Sequence, residues 1–317
     1  MKYLYISILL ISFGCAEPPQ KEPIASNHNV PIREGEVQLI IEPEFDHYLL
    51  GETIWLKVTI HNNTDKDFYI TYLPDKFSVP LKIESNNGNE HIRLREIDER
   101  NGASDSVKVA PHSSFISLIN LTESYFDQRH VTMGIYDING VYDKYTPMRY
   151  GYLSYQGERI KIDYPPPLKA NPIKIEILPA KGREEMISNV IFNPMQGFKS
   201  IFEKLEYLVK YHPESKYYPQ IYSEYIYYLT AQSDSTKLFS NVNYFLDNIA
   251  TYETILVLHR VSGFLRNKLN WDYTKRRDYF FSLKEKYSTG KVAECIDVKL
   301  TMDEYYRRAN ERLENWR

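Results

Sequence analysis

Gly51-Glu52-Thr53-Ile54-Trp55-Leu56-Lys57-Val58-Thr59-Ile60-His61-Asn62-Asn63-Thr64 is the stretch on which the fold turns. Ile54, Leu56, Val58 and Ile60 alternate with Trp55, Lys57 and Thr59. A period of two sends successive side chains to opposite faces of a strand, so this run predicts a half-buried strand with one packed and one wet face. Leu50-Gly51-Glu52 before it and His61-Asn62-Asn63-Thr64-Asp65-Lys66-Asp67 after it have turn compositions.

The same period extends in both directions. Val37 to Ile41 opens it, and Phe68, Ile70 and Tyr72 continue it. Further strands are predicted at Leu81 to Glu84, Ile92 to Arg95, Phe115 to Asn120, Val131 to Tyr136, Gly151 to Tyr155, Arg159 to Asp163 and Ile173 to Leu178. Asn86-Asn87-Gly88-Asn89 fits a hairpin turn between two of them. Asp137 to Tyr150 is long and aromatic for a simple turn and is read as an inserted loop. Many short strands at regular spacing predict an all-β sandwich over residues 36–179. Pro165-Pro166-Pro167 breaks the ladder before the last strand, and Pro179-Ala180-Lys181-Gly182 marks its end.

Past Gly182 the period becomes 3.6, which predicts an all-α domain over residues 183–317. Phe198, Ile201, Phe202, Leu205, Leu208 and Val209 share one helical face, and Tyr211-His212-Pro213 ends that helix. Further helices are expected at Tyr217 to Ala231, Leu238 to Asn248, Thr251 to Leu269, Asp272 to Tyr287 and Asp303 to Trp316. Thr301 and Glu304 read as the capping box of the last one. Short connections predict antiparallel helical pairs.

The first fifteen residues read as an address. Lys2 precedes an apolar run, Tyr3 to Phe13, that is too short to cross a hydrocarbon core of ~30 Å as a helix. Residues 1–14 therefore read as a signal peptide, and Ile11-Ser12-Phe13-Gly14-Cys15 resembles the lipobox of bacterial lipoproteins, with Ser12 where Leu is usual. The resemblance implies lipidation of Cys15, a palmitate-type anchor in the membrane and placement in the cell envelope; a signal cut elsewhere, giving a secreted form, and a retained membrane anchor are the alternatives. Ala16 to Pro31, rich in Pro, Glu, Asn and Ser, reads as a flexible tether within residues 15–35. Ala16-Glu17 lacks an Asp directly after the cysteine, which favours the outer membrane.

Two further resemblances attach to the folded body. Gly51 to Thr64 resembles immunoglobulin-like domains of bacterial envelope proteins, in which a Gly-Glu turn opens a strand and an Asn-rich turn closes it. Pro111-His112-Ser113-Ser114-Phe115 is similar to a later turn of such domains but lacks its Gly. No Cys…Trp…Cys pattern is present, so apolar packing must hold the sandwich. Phe202-Glu203-Lys204-Leu205-Glu206-Tyr207-Leu208-Val209-Lys210-Tyr211-His212-Pro213-Glu214-Ser215-Lys216-Tyr217-Tyr218 is similar to the helix–Tyr-Pro-x-Ser–helix phrase of tetratricopeptide-like envelope lipoproteins. His212 interrupts the phrase, and no regular repeat follows it. A helical-hairpin or tetratricopeptide-like domain and a small non-repeating bundle both fit.

Composition narrows the function further. The 317 residues are 43% hydrophobic and 26% charged, a globular balance. The net charge is -3, so there is no electrostatic footprint for nucleic acid. Up to Ala180 there are 18 basic and 24 acidic residues, and from Lys181 onward 21 basic and 18 acidic. That split reads mainly as two ordinary solvated surfaces.

No His-Glu-x-x-His, Gly-x-Ser-x-Gly, Walker or dinucleotide motif occurs, so no catalytic residue, metal ligand or cofactor is assigned. Glu90-His91 beside a turn reads as solvated, and the spaced carboxylates Glu42/Glu44 and Asp65/Asp67 lack the rest of a calcium loop. Cys295, among Val292, Ala293, Ile296 and Val298, reads as a buried thiol acting as a small hydrophobe.

The unusual feature is the 28 tyrosines. They cluster at Tyr142, Tyr145, Tyr150, Tyr152 and Tyr155, and again from Tyr217 to Tyr228. Such rings suit core packing, an interdomain seam, a protein interface or stacking on a glycan, the last with no other support. Tyr142, Tyr145, Tyr150, Tyr152, Tyr218 and Tyr222 are taken as the candidate interaction surface, with Tyr225 facing inward. The reading is a non-enzymatic envelope lipoprotein acting as a protein-interaction or assembly module, with an envelope protein as partner. A glycan- or peptide-capturing lipoprotein and an envelope hydrolase or protease inhibitor are the alternatives.

Overall fold

In the computed structural model, residues 36–71, 79, 81–87, 90–93, 106–124, 131–142, 152–155, 158–161, 167–193, 197–232 and 234–315 are described. The N-terminal part is rich in sheet. In chain order its strands are β1 (Val37–Pro43), β2 (His47–Leu49), β3 (Trp55–Asn62), β4 (Phe68–Thr71), β5 (Lys82–Asn87), β6 (Glu90–Arg93), β7 (Ser106–Val109) and β8 (Ser113–Asn120). A single turn, α1 (Leu121–Ser124), precedes β9 (Gly134–Tyr142), β10 (Tyr152–Tyr155), β11 (Glu158–Lys161), β12 (Leu168–Lys169) and β13 (Ile173–Leu178).

The alternating run becomes the centre of a sheet. β3 pairs antiparallel with β1 on one side and with β8 on the other. A second sheet has the order β2-β13-β9-β5-β6, with β12 added beside β9. Its β2–β13 pairing is parallel and the other pairings are antiparallel. Leu39, Ile41, Leu56, Val58, Ile60, Tyr136, Ile138 and Ile175 are buried in the core of this part. Each such side chain taken fully out of water contributes about 1.5–3 kcal/mol. Asn62 closes the turn after β3, donating to the carbonyls of Lys66, Val109 and Ala110 at 2.7, 3.0 and 3.1 Å.

The expected loop from Asp137 to Tyr150 is corrected in its first half, because β9 runs on to Tyr142. Asn139-Gly140 has a turn composition, yet Tyr136, Ile138, Gly140 and Tyr142 alternate inward along one strand. Gly140 lets β1 approach closely: a Cβ would lie 2.1 Å from Ile41 Cδ1, and that side chain would have to turn away. The expectation of one wet face on β3 is also corrected. Trp55 is 0% exposed and Thr59 is buried, because the C-terminal part lies against the face that carries Trp55 and Lys57.

Strand gives way to helix where the period changes, between Leu178 and Arg183. The helical part comprises α2 (Arg183–Phe192), α3 (Ile201–Tyr211), α4 (Tyr218–Ala231), α5 (Ser235–Asn248), α6 (Thr254–Asn267), α7 (Tyr273–Lys286) and α8 (Gly290–Asn315). Ser200, Asp234 and Asp272 cap α3, α5 and α7 by accepting from the backbone three residues on. Leu205 and Leu208 of α3 are buried as their spacing implies, but Ile201 is exposed. Thr301 is not a cap. It lies inside a 26-residue α8 that starts at Gly290, itself at positive φ.

Candidate functional site

Among the places that combine charge with aromatic rings, one is set apart by its burial and another by its concavity. The first is the seam between the sheet-rich and helical parts. Here Trp55 Nε1 donates to Glu253 Oε1 at 3.1 Å. Tyr217 donates its hydroxyl to Leu50 O at 2.7 Å, and Gly51 in the same turn (φ 92) faces the Phe192 ring so closely that a Cβ would strike it. The buried Glu44 carboxylate accepts from the Tyr252 amide at 2.8 Å and pairs with Lys291 at 3.1 Å. Lys57 lies between Glu42 at 3.0 Å and Glu294 at 3.3 Å, and Tyr252 donates to Glu294 Oε2 at 2.7 Å.

Burial sets the protonation behaviour of the seam. It pushes the Glu253 carboxyl up to about 7, against hydrogen bonds from Trp55 and Thr53 that favour the anion. Burial, followed by the Glu294 carboxylate, raises the Tyr252 phenol. Burial also opposes the Lys57 charge, but Glu294 and Glu42 outweigh it and raise the ammonium. Burial raises the Cys295 thiol well above its ordinary value, so it stays protonated and weakly nucleophilic.

The second place is a groove of about 520 Å³ between α7 and α8, with Val107 of β7 at its edge. A four-residue spacing brings Tyr273, Arg277 and Phe281 onto one side of α7. Leu300, Glu304 and Arg308 share the facing side of α8 with Tyr305 and Arg307. Glu304 takes hydrogen bonds from Arg307, Arg308 and the Tyr273 hydroxyl. The Arg307 guanidinium first, then Arg308 and Tyr273, hold the Glu304 carboxyl down to about 2 despite burial. Burial and Glu304 raise the Tyr273 phenol to about 12. Arg277 differs from the other two arginines. Its guanidinium lies 4.9 Å from the centre of the Phe281 ring and makes no hydrogen bond or ion pair among the described residues.

Three of the tyrosines taken from the sequence as a contact surface are enclosed instead. Tyr218 and Tyr222 are 7% and 4% exposed, and Tyr142 is also buried. Tyr222 donates to Asn241 Oδ1 at 2.6 Å, and its ring stacks on Tyr244 at 5.5 Å. The physical reason is that α3, α5 and α6 all pack against α4, so the side expected to be wet is covered by α5. Tyr225 is buried, as its inward assignment requires, while Tyr227 is the exposed ring of α4 at 52%. Tyr152 opens β10 opposite Lys161. Tyr145, Tyr150 and Cys15 lie outside the described residues.

The residues that do come together carried faint sequence signals. Glu253 is a lone acid leading the apolar run Thr254-Ile255-Leu256-Val257-Leu258. Tyr273, Arg277 and Phe281 stand at successive helical turns. Among the described residues, no group of three or more His, Cys, Asp or Glu could hold a metal ion. Among them, too, no helix is long and apolar enough to cross a membrane.

No protein-family model matches the sequence, and no curated protein matches it. Among solved structures, the chain is similar to a β-glucosidase of Erythrobacter marinus at 14% identity and a TM-score of 0.25, over 45% of this chain and 15% of that one. It is similar to a glucose-bound β-glucosidase of Listeria innocua at 13% identity and a TM-score of 0.23, over 51% of this chain and 20% of that one. The chain thus spans a fifth or less of either enzyme, and likenesses this slight carry no argument about fold or activity.

Proposed function

We propose that this chain is a non-enzymatic lipoprotein of the bacterial envelope, anchored through Cys15 and acting as a protein-interaction or assembly module. In this reading residues 36–179 are an immunoglobulin-like sandwich and residues 183–317 a tetratricopeptide-like helical domain. One observation carries the functional step: the groups with chemically useful displaced protonation are committed to holding the body together. Glu253 is bonded to Trp55 inside the seam, and Cys295 is wholly buried in α8. Lys299, lowered to about 8 by burial, is fully enclosed, paired with Asp303 and 4.9 Å from the centre of the Phe280 ring. A catalytic acid, nucleophile or amine must reach a substrate, whereas these groups are shut in by packing.

The anchor follows from the lipobox-like Ile11–Cys15. Each acyl methylene buried in a bilayer contributes about 0.8 kcal/mol, so several chains on one cysteine hold a folded body at the membrane. Labelling with a palmitate analogue tests this. The wild type should take up label and fractionate with membranes, and Cys15→Ser should lose the label and become soluble. Equal labelling of both would contradict the anchor. Crosslinking in intact envelopes tests the module, which should be recovered with a defined protein partner. Turnover of a peptide, ester or glycan by the purified chain, abolished by one polar substitution, would contradict it.

A further inference from the structure

We propose that the groove between α7 and α8 binds a peptide segment in which a carboxylate stands beside an apolar side chain. This proposal rests on the interaction-module reading and supplies the chemistry of its ligand. The groove's size, about 520 Å³, suits a few side chains rather than a flat surface. Val107, Leu300 and the rings of Tyr273, Phe281 and Tyr305 give it apolar walls, and Phe281 remains 39% exposed.

Its charge is unevenly satisfied. Glu304 binds both Arg307 and Arg308, and Glu311 adds a second partner to Arg307, so these two guanidiniums are fixed in place. Arg277 is exposed, has no such partner among the described residues, and lies against the Phe281 ring. A ring supplies no oxygen acceptor, and the planar fork of a guanidinium matches the two oxygens of a carboxylate. Three guanidiniums face two carboxylates in and beside the groove, which leaves a positive excess at Arg277. A carboxylate at Arg277 would place the neighbouring apolar side chain against Phe281 and the groove walls. A bilayer surface cannot enter a concave groove in this way. A neutral sugar would bring no opposite charge to the guanidinium and little apolar surface to the Val107 and Leu300 walls.

The test titrates the full chain, in detergent, with a fluorescent peptide of alternating Glu or Asp and Leu or Phe. A second peptide with Gln and Asn in place of the acids, and vesicles of phosphatidylglycerol, are titrated in parallel. The acidic peptide should saturate, and the amide peptide should bind about tenfold more weakly or worse, the scale of a lost charge-assisted contact. Arg277→Glu should weaken the acidic peptide at least as much, Arg277→Lys should weaken it less, and Phe281→Ala should weaken both peptides. Unchanged thermal melting of Arg277→Glu would show that the loss is not unfolding. Equal binding of the two peptides, unchanged affinity in Arg277→Glu, or binding to the vesicles alone would overturn the proposal. Anchoring is read separately by palmitate labelling. A chain that takes no label yet binds the acidic peptide through Arg277 would refute the envelope reading and support the groove's ligand.

Discussion

The seam and the groove are built from the same residue types, and they differ in one respect. In the seam each charge meets an opposite charge or a hydrogen-bond donor: Lys57 with Glu42 and Glu294, Lys291 with Glu44, and Glu253 with Trp55. In the groove two arginines are satisfied by Glu304, and among the described residues Arg277 has only the Phe281 ring. A joint between two parts of one chain can match its partners completely because both sides are encoded together. A surface kept for another molecule leaves part of the match to be supplied. Substitutions in the seam should therefore change stability, and substitutions at Arg277 should change binding alone.

Trp55→Ala should break the comparison most severely. It removes a fully buried ring and one of the donors to the Glu253 carboxyl, so a loss of about 3–5 kcal/mol is expected in urea unfolding. Glu253→Gln sharpens the comparison through pH. The unfolded carboxyl titrates near ~4.3, while the folded one is raised to about 7. The folded state therefore keeps its proton where the unfolded state has lost it. The favourable contribution is complete below the lower value and is lost as pH rises through about 7. Its full size is of order 3 kcal/mol. Glu44 and Arg260 act on the carboxyl with opposite signs, the first raising and the second lowering it. Wild-type stability should decline across this window, and Glu253→Gln, which retains an acceptor for Trp55, should flatten the profile and be the more stable above neutrality. An unchanged pH profile in the variant would show that Glu253 is not the group responsible.

Smaller effects should follow from single contacts. Tyr217→Phe removes one hydroxyl bond to Leu50 and should cost about 1 kcal/mol in the same unfolding measurement. Arg277→Ala, at an exposed and unpaired position, should leave stability within about 0.5 kcal/mol of wild type. A larger loss there would mean that the groove is a structural joint like the seam.

Much of the fold could be read locally, because strands and helices that bury one clean face carry their period in the sequence. β1, β13, α3 and α5 are of this kind. β2 could not be read, since three residues carry no period and their parallel partner β13 lies far along the chain. α2 escaped because Ile187 is its only buried residue and Met186 and Phe192 are exposed. In α8, Thr301-Met302-Asp303-Glu304 looked like a helix start because a Thr followed three residues later by a Glu fits a capping box. The structure instead places Lys299 in the same helix, paired with Asp303.

The sites were less legible still. Trp55 and Lys57 lie on the face that alternation assigns to water, and only the docking of distant helices makes that face internal. Tyr218 and Tyr222 were misplaced for the same reason, since a helix covered on several sides presents no wet face for its rings to mark. Contacts between residues far apart in the chain decide both cases, and local periodicity does not contain them.

The central claim is that the seam joins the sheet-rich and helical parts into one cooperative body. The most direct test is urea unfolding of the full chain, followed at once by helical circular dichroism and by hydrogen exchange at the β3 amides. The account predicts a single shared midpoint, displaced as a unit by Trp55→Ala. Helical signal that persists through a separate transition after the β3 amides have exchanged would contradict it.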